Sequence, residues 1–193
     1  MTSKSKQLSE FIYRTIEQYQ QHYLQGAPHA KADLANFRRL ANKQLGDSPE
    51  TWAVFSHGFP PQLIGNGFQP SPAETAAFIS LTLFASHIQS KHEPMHLKNE
   101  GLGDALRKYA VKTNTDLFES SLFKRFNSVI HSPNMEGIAY HLRSLVQLFR
   151  SESIPLDYGK LATDLYRMQF PDSRTSTQLS WARQLYRTQT IES

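Results

Sequence analysis

Apolar residues recur every three or four positions along most of this chain, and the period-two alternation of half-buried strands is nearly absent. The first stripe, Leu8, Ile12, Ile16, Tyr19 and Tyr23, predicts a helix over about residues 7–24, ended by Gly26-Ala27-Pro28. Leu34, Phe37, Ala41 and Leu45 predict a second from Lys31 to Leu45, with Gly46 as its stop. A short helix is expected at Pro49–Phe55, capped by Ser48. Residues 56–72 are rich in Gly and Pro and read as loop and turns. Ser71-Pro72-Ala73-Glu74 then combines a cap, a first-turn proline and a Glu three residues after the Ser, a strong helix start. The helix that follows to about Gln89 is apolar on most faces, as a buried central helix is. Residues 90–101 form a polar connection. Beyond it lie helical patterns at about 102–111, 115–131, 134–150 and 157–169, and a last one near 175–189. The expected fold is all-α, a two-lobed helical bundle of about eight or nine helices, with lobes at 1–95 and 96–193.

Charge changes this picture by its placement. No Lys or Arg occurs between residues 44 and 90, so that stretch supplies scaffold rather than an anion site. At about 100° per residue, Arg39 and Lys43 point away from the Leu34/Ala41/Leu45 stripe, and Arg38 sits at its edge. On the 115–131 pattern Phe118, Leu122, Phe126 and Val129 face inward, with Lys124 opposite and Arg125 on the flank. On the 134–150 pattern Ile138, Leu142, Leu145 and Phe149 face inward, and Arg143, Gln147 and Arg150 line an adjoining face. On the last, Leu179, Ala182 and Tyr186 are expected inward, with Arg183 and Arg187 stacked one turn apart. Few acids accompany these cations: Asp33 shares the second helix, and Asp116 and Glu119 are expected at a helix start, where they serve its dipole. Any one pair alone reads as a solvated helix face. Several together shift the reading toward an anion site, since a continuous basic face would bind phosphates without reading bases.

The bulk composition is compatible with that reading. The 193 residues are 39% hydrophobic and 20% charged, as in ordinary globular proteins, with a formal net charge of +4. The absence of cysteine excludes disulfide and thiolate chemistry and fits a reducing cytosol. The longest apolar segment, Ala73–Ile88, is too short and too polar to span a bilayer, and no signal peptide is evident after Met1, so a cytoplasmic protein without a membrane partner is expected.

No catalytic constellation emerges. His87, His92 and His96 cluster in sequence, but Pro94 denies the last two a helical ligand pair, and His87 reads as a core histidine. Gly65-Asn66-Gly67 and Gly101-Leu102-Gly103 follow no strand and lack Gly-Lys-Ser/Thr, so neither is a phosphate loop; the second reads as a helix cap. Asp157 and Asp164 share a helix face with Lys160 and Arg167 and read as salt bridges rather than an acid/base pair. Tyr140 and Phe123 lie off the main stripes. No catalytic residue, metal, cofactor or small-molecule substrate is expected.

Five segments in order carry a resemblance: Thr82-Leu83-Phe84-Ala85-Ser86-His87, Leu102-Gly103-Asp104-Ala105-Leu106, Lys124-Arg125-Phe126, His141-Leu142-Arg143-Ser144-Leu145-Val146 and Ile154-Pro155-Leu156-Asp157-Tyr158. Together, over residues 31–190, they resemble the CasB family, the small subunit of the type I-E CRISPR surveillance complex, Cascade. The resemblance implies a two-lobed helical fold, two copies packed head to tail, and no catalysis. It also implies a role in holding target and displaced DNA strands, so that the R-loop is stabilised while guide RNA pairs with the target; that exchange of duplexes is nearly balanced in energy. The implied partners are those strands, the guide-RNA ribonucleoprotein with its backbone and large subunits, and a second copy of the chain. The family's basic positions fall at Arg38, Arg39, Lys124, Arg125 and Arg143. Where the family commonly has a basic residue within Leu-Gly-x-Ala-Leu, this chain has Asp104, and Arg107 or Lys108 is expected to substitute. With Lys43, Arg183 and Arg187, these make up the candidate nucleic-acid-binding residues. The alternative is a structural helical adaptor that docks protein or guide RNA without touching DNA.

Overall fold

A computed structural model describes residues 3–55, 58–116 and 120–187. The described residues form eight α-helices: α1 Lys4–Leu24, α2 Pro28–Leu40, α3 Pro72–His87, α4 Leu102–Lys112, α5 Ser121–His131, α6 Met135–Ser151, α7 Tyr158–Arg167 and α8 Pro171–Leu185. Two short 3-10 helices, Pro49–Phe55 and Pro61–Leu63, lie between α2 and α3. Among the described residues there is no β-strand, only an isolated bridge between His96 and Leu156. The all-α expectation holds.

Helix α3 is the axis. Of its 16 residues 13 are buried, and it packs against α1, α2, α6 and α7. The expected cap is built: the Ser71 hydroxyl accepts from the Glu74 amide at 3.1 Å, and the Glu74 carboxylate accepts from the Ser71 amide at 2.6 Å. Glu74 also accepts from the Gly65 amide at 3.1 Å, so the Gly/Pro loop ahead of α3 is anchored to the cap. This explains how a carboxylate is tolerated at full burial: its lone pairs are met by backbone donors.

Several predicted boundaries and faces shift. The second helix begins at Pro28 and ends at Leu40, about five residues before the expected stop. Pro28 fits the first helical turn, where its missing N–H costs nothing, and residues 41–48 form turns in which the Asp47 carboxylate takes the Gln44 amide at 2.6 Å. The fifth helix starts at Ser121 with Ser120 as cap, so Asp116 lies before it rather than in its first turn; Phe118 and Glu119 lie outside the described residues. On α8 the inward face is Thr177, Trp181, Gln184 and Leu185, whereas Leu179 and Tyr186 are about half exposed. The indole drives this: Trp181 is fully buried and donates from Nε1 to Asp164 at 2.7 Å. Arg187 lies past the end of α8, so it does not stack on Arg183 within a helix.

Asp157 also changes role. It caps α7, accepting from the Lys160 amide at 2.9 Å, the Asn99 amide at 2.8 Å and the Tyr13 hydroxyl at 3.1 Å, rather than closing a salt bridge. Asp164 keeps its expected partner, Lys160, at 3.2 Å. Burial pushes the Asp164 carboxyl up, against the pull of Lys160 and Trp181. Gly101 and Gly103 serve close packing rather than phosphate: a Cβ on either would run into Gln184 of α8, and at Gly103 into the α8 backbone as well.

Candidate nucleic-acid interface

The last turn of α2 carries Arg38 and Arg39, where cations complement the helix C-terminus. Arg38 is half-buried and donates to the Ala85 carbonyl of α3 at 3.4 Å. Arg39 is exposed and bonds Asn36. Both line a shallow depression that reaches Gln89, just past α3. On the other side of Gln89, Arg150 of α6 donates from Nε to the Gln89 carbonyl at 3.0 Å, and Lys91, Gln147 and Arg150 line a second depression. Lys91 is steadied by Ser153 at 2.8 Å. Gln89 therefore joins the two depressions into one basic seam from Arg39 to Lys91.

Arg38 and Arg150 are close enough to repel. Burial first, and Arg150 in addition, hold the Arg38 guanidinium below its ordinary value. Two like charges brought together raise each other's energy unless an anion lies between them.

Midway along α6, Arg143 donates to the Asn42 side chain at 2.8 Å and to the Ala41 carbonyl, tying α6 to the end of α2. Its guanidinium lies 6.0 Å from the Tyr140 ring centre, within cation–π range. Burial lowers its proton affinity, but a guanidinium stays charged at any working pH. Lys43, exposed and 3.4 Å from the Ser48 hydroxyl, lines with Arg143 a cavity of about 250 Å³.

Among the described residues six ion pairs form, and none involves Arg38, Arg39, Lys43, Lys91, Arg143 or Arg150. Glu136 is felt electrostatically at Arg143 but stays beyond ion-pair distance. By contrast, Arg107 pairs with Asp104 at 3.5 Å and Lys108 with Glu100 at 2.6 Å. Lys124 and Arg125 are exposed on α5, whose buried residues Leu122, Phe126 and Val129 pack toward α6. Arg183 and Arg187 are exposed at the C-terminal end of the described chain.

Of the predicted residues, the fold thus gathers Arg38, Arg39, Lys43 and Arg143 along the α2–α3–α6 side. Arg150 joins them, as its helical angle beside Arg143 foreshadows. Lys91 carries no such signal, because it sits in a loop that only tertiary packing brings to α6. His87 is a core histidine: it is fully buried, with Nδ1 3.0 Å from the Tyr158 hydroxyl. His96 is also buried, its Nδ1 accepting from the Tyr158 amide at 3.2 Å, while His92 is exposed.

Among the described residues, then, this is an all-α protein that gathers cations along one seam with no carboxylate in ion-pair contact. The comparisons give the particular family. The family model for CRISPR-associated protein Cse2 matches residues 33–186. The crystal structure of CasB from Thermobifida fusca is similar at 32% identity and a TM-score of 0.74, over 94% of this chain and 98% of that one. A Cse2-family CRISPR-associated protein from Thermus thermophilus shares the fold at 23% identity and a TM-score of 0.61, over 96% and 99%. CasB from M. ruber does so at 22% and 0.60, over 80% and 83%. Curated protein sequences give no match. The chain belongs to the CRISPR-associated protein Cse2 family.

Proposed function

We propose that this chain is the non-catalytic small subunit of a type I-E Cascade, and that it holds target and displaced DNA strands through their phosphates, stabilising the R-loop in antiviral defence. In this reading it works beside the guide-RNA ribonucleoprotein and a second copy of itself. The observation that carries it is the α2–α3–α6 seam, where Arg38, Arg39, Lys43, Arg143 and Arg150 lack a carboxylate partner among the described residues. Cations held close with no carboxylate in ion-pair contact are open to a DNA backbone, and the gain is independent of sequence. Lys124 and Arg125 form a second patch on α5, and Arg183 and Arg187 extend the surface near the C-terminus. Arg107 and Lys108, held by Asp104 and Glu100, contribute less.

The test is R-loop affinity of the assembled complex as a function of salt. An Arg39→Ala, Lys43→Ala, Arg143→Ala triple variant is expected to lower the log–log salt slope by about three for each copy of the chain in the complex. In each copy a contact that costs roughly 3.5-fold between 50 and 200 mM salt is then gone three times over, so the salt-driven loss shrinks by about 40-fold per copy. A Lys124→Ala, Arg125→Ala variant is expected to lower the slope by about two per copy. Unchanged slopes in both folded variants would sink the strand-holding role and favour the adaptor.

A further inference from the structure

The cavity between the end of α2 and the first half of α6 has features that phosphate binding does not need. Its floor is apolar, built from Phe78, Ile79 and Leu83 of α3 with Met135 and Ala139 of α6. Gln44, Gln69 and Thr75 bring neutral hydrogen-bonding groups to its walls. At about 250 Å³ it exceeds the roughly 150 Å³ that accommodates a benzene ring in an apolar protein cavity. Lys43 and Arg143 place positive charge at the same lining, against the single carboxylate of Glu136.

Two exposed aromatic residues are next in sequence to lining residues of this cavity. Phe68 is fully exposed and immediately precedes Gln69 and Pro70 of the lining. Tyr140 is 64% exposed, follows Ala139 of the lining and lies against Arg143. A Phe ring left fully exposed keeps its apolar surface in water, at a cost in solvation free energy. Cations beside exposed aromatic faces and a half-apolar recess are the elements by which proteins hold single strands whose bases have left the stack.

From this juxtaposition we propose that the α2–α6 cavity takes an unstacked nucleobase of the displaced DNA strand, with Phe68 and Tyr140 as stacking faces and Lys43 and Arg143 on the flanking phosphates. The proposal rests on the strand-holding reading and deepens it, from a grip on any backbone to a preference for single strand. A base in a duplex is already stacked and paired, so only an opened strand can enter.

The experiment uses Cascade assembled with the full chain on target duplexes carrying 5-iododeoxyuridine in either the displaced or the target strand. Irradiation is expected to crosslink the displaced strand to Phe68 or Tyr140, mapped by mass spectrometry. Ala139→Phe fills the recess and leaves every charge in place. It is expected to lower that crosslink about ten-fold with the salt slope unchanged. Phe68→Ser alters only a fully exposed position and leaves the Tyr140 ring against Arg143 in place; it is expected to weaken binding to single-stranded DNA roughly ten-fold while duplex binding stays the same. Crosslinks confined to the target strand, a yield indifferent to Ala139→Phe, or protection of both rings by another subunit before DNA is added would overturn the base site. If those fail while the Arg39/Lys43/Arg143 variant still loses its slope, phosphate holding stands alone; if that slope is also unchanged, both readings fall.

Discussion

Gly103→Ala is expected to cost more than about 3 kcal/mol of folding free energy, measured by urea denaturation. A Cβ at this position lands on the Trp181 carbonyl, and lies 2.6 Å from Gln184 Cβ and 2.7 Å from the Leu185 amide. Two of those three neighbours are backbone, which no rotamer change can move. Helix α4 must therefore back away from α8. The Gly103 amide then loses the Gln184 side chain, now 3.1 Å away, and the buried Trp181 indole loses its seat against Asp164. Overpacking alone costs typically about 1–3 kcal/mol, and opening a large aromatic's site adds to it. Against a total stability of roughly 5–15 kcal/mol the loss is severe. Gly67→Ala is the control: no atom lies within 4 Å of its built Cβ, and a change within about 0.5 kcal/mol is expected. Equal effects at the two glycines would refute the close-approach argument.

Glycine also marks where sequence reading succeeds and where it stops. The helix opened by Gly101-Leu102-Gly103 is legible, because the apolar spacing and the missing phosphate-loop residues are local facts. The need for two glycines comes from α8, about 80 residues away, and no local pattern records it. Helix α3 is legible throughout, since its Ser71–Glu74 cap and its apolar run act over a few residues. The end of α2 is not. Leu45 continues the stripe in phase, yet the turns after Leu40, held by Asp47, outcompete helix propagation. On α8 the stripe misleads because Gln184 and Thr177, polar by composition, face inward beside Trp181.

The candidate site divides in the same way. The outward angles of Arg39 and Lys43 follow from helical geometry alone, as does the shared face of Arg143 and Arg150. What gathers them is long-range: Arg143 to Asn42, Arg150 to Gln89, Arg38 to Ala85. The pairs that engage Arg107 and Lys108 are closer in sequence, Asp104 one turn back on α4 and Glu100 just before it. Spacing permits those pairs, and packing brings them to contact distance. A charge count treats all ten candidate cations alike, whereas the fold separates those paired with carboxylates from those gathered without them.

Acid is expected to destabilise this fold from about pH 6.5 downward, and His87 is expected to carry the largest share. Burial pushes its imidazole down from 6.5 to about 3 and depresses His96 as well. A depressed folded value means that the unfolded chain takes up the proton first. The stabilisation is therefore complete above about pH 6.5 and is lost as pH falls toward the folded value. At about 1.4 kcal/mol per pH unit, His87 alone is expected to remove roughly 3 kcal/mol by pH 4. Asp164 works in the opposite sense: its raised carboxyl relieves a buried charge as it protonates, an effect confined to pH above its ordinary 3.8. His87→Asn separates the two, because asparagine offers Tyr158 a hydrogen bond near the Nδ1 position and does not titrate, while Asp164 and His96 are unchanged. Urea midpoints of both proteins at pH 7, 6, 5 and 4 are expected to diverge in slope by about one proton, the wild type falling faster. Parallel slopes would mean that His87 keeps its proton affinity in the folded state, and the burial that makes it a core residue rather than a ligand would then be wrong.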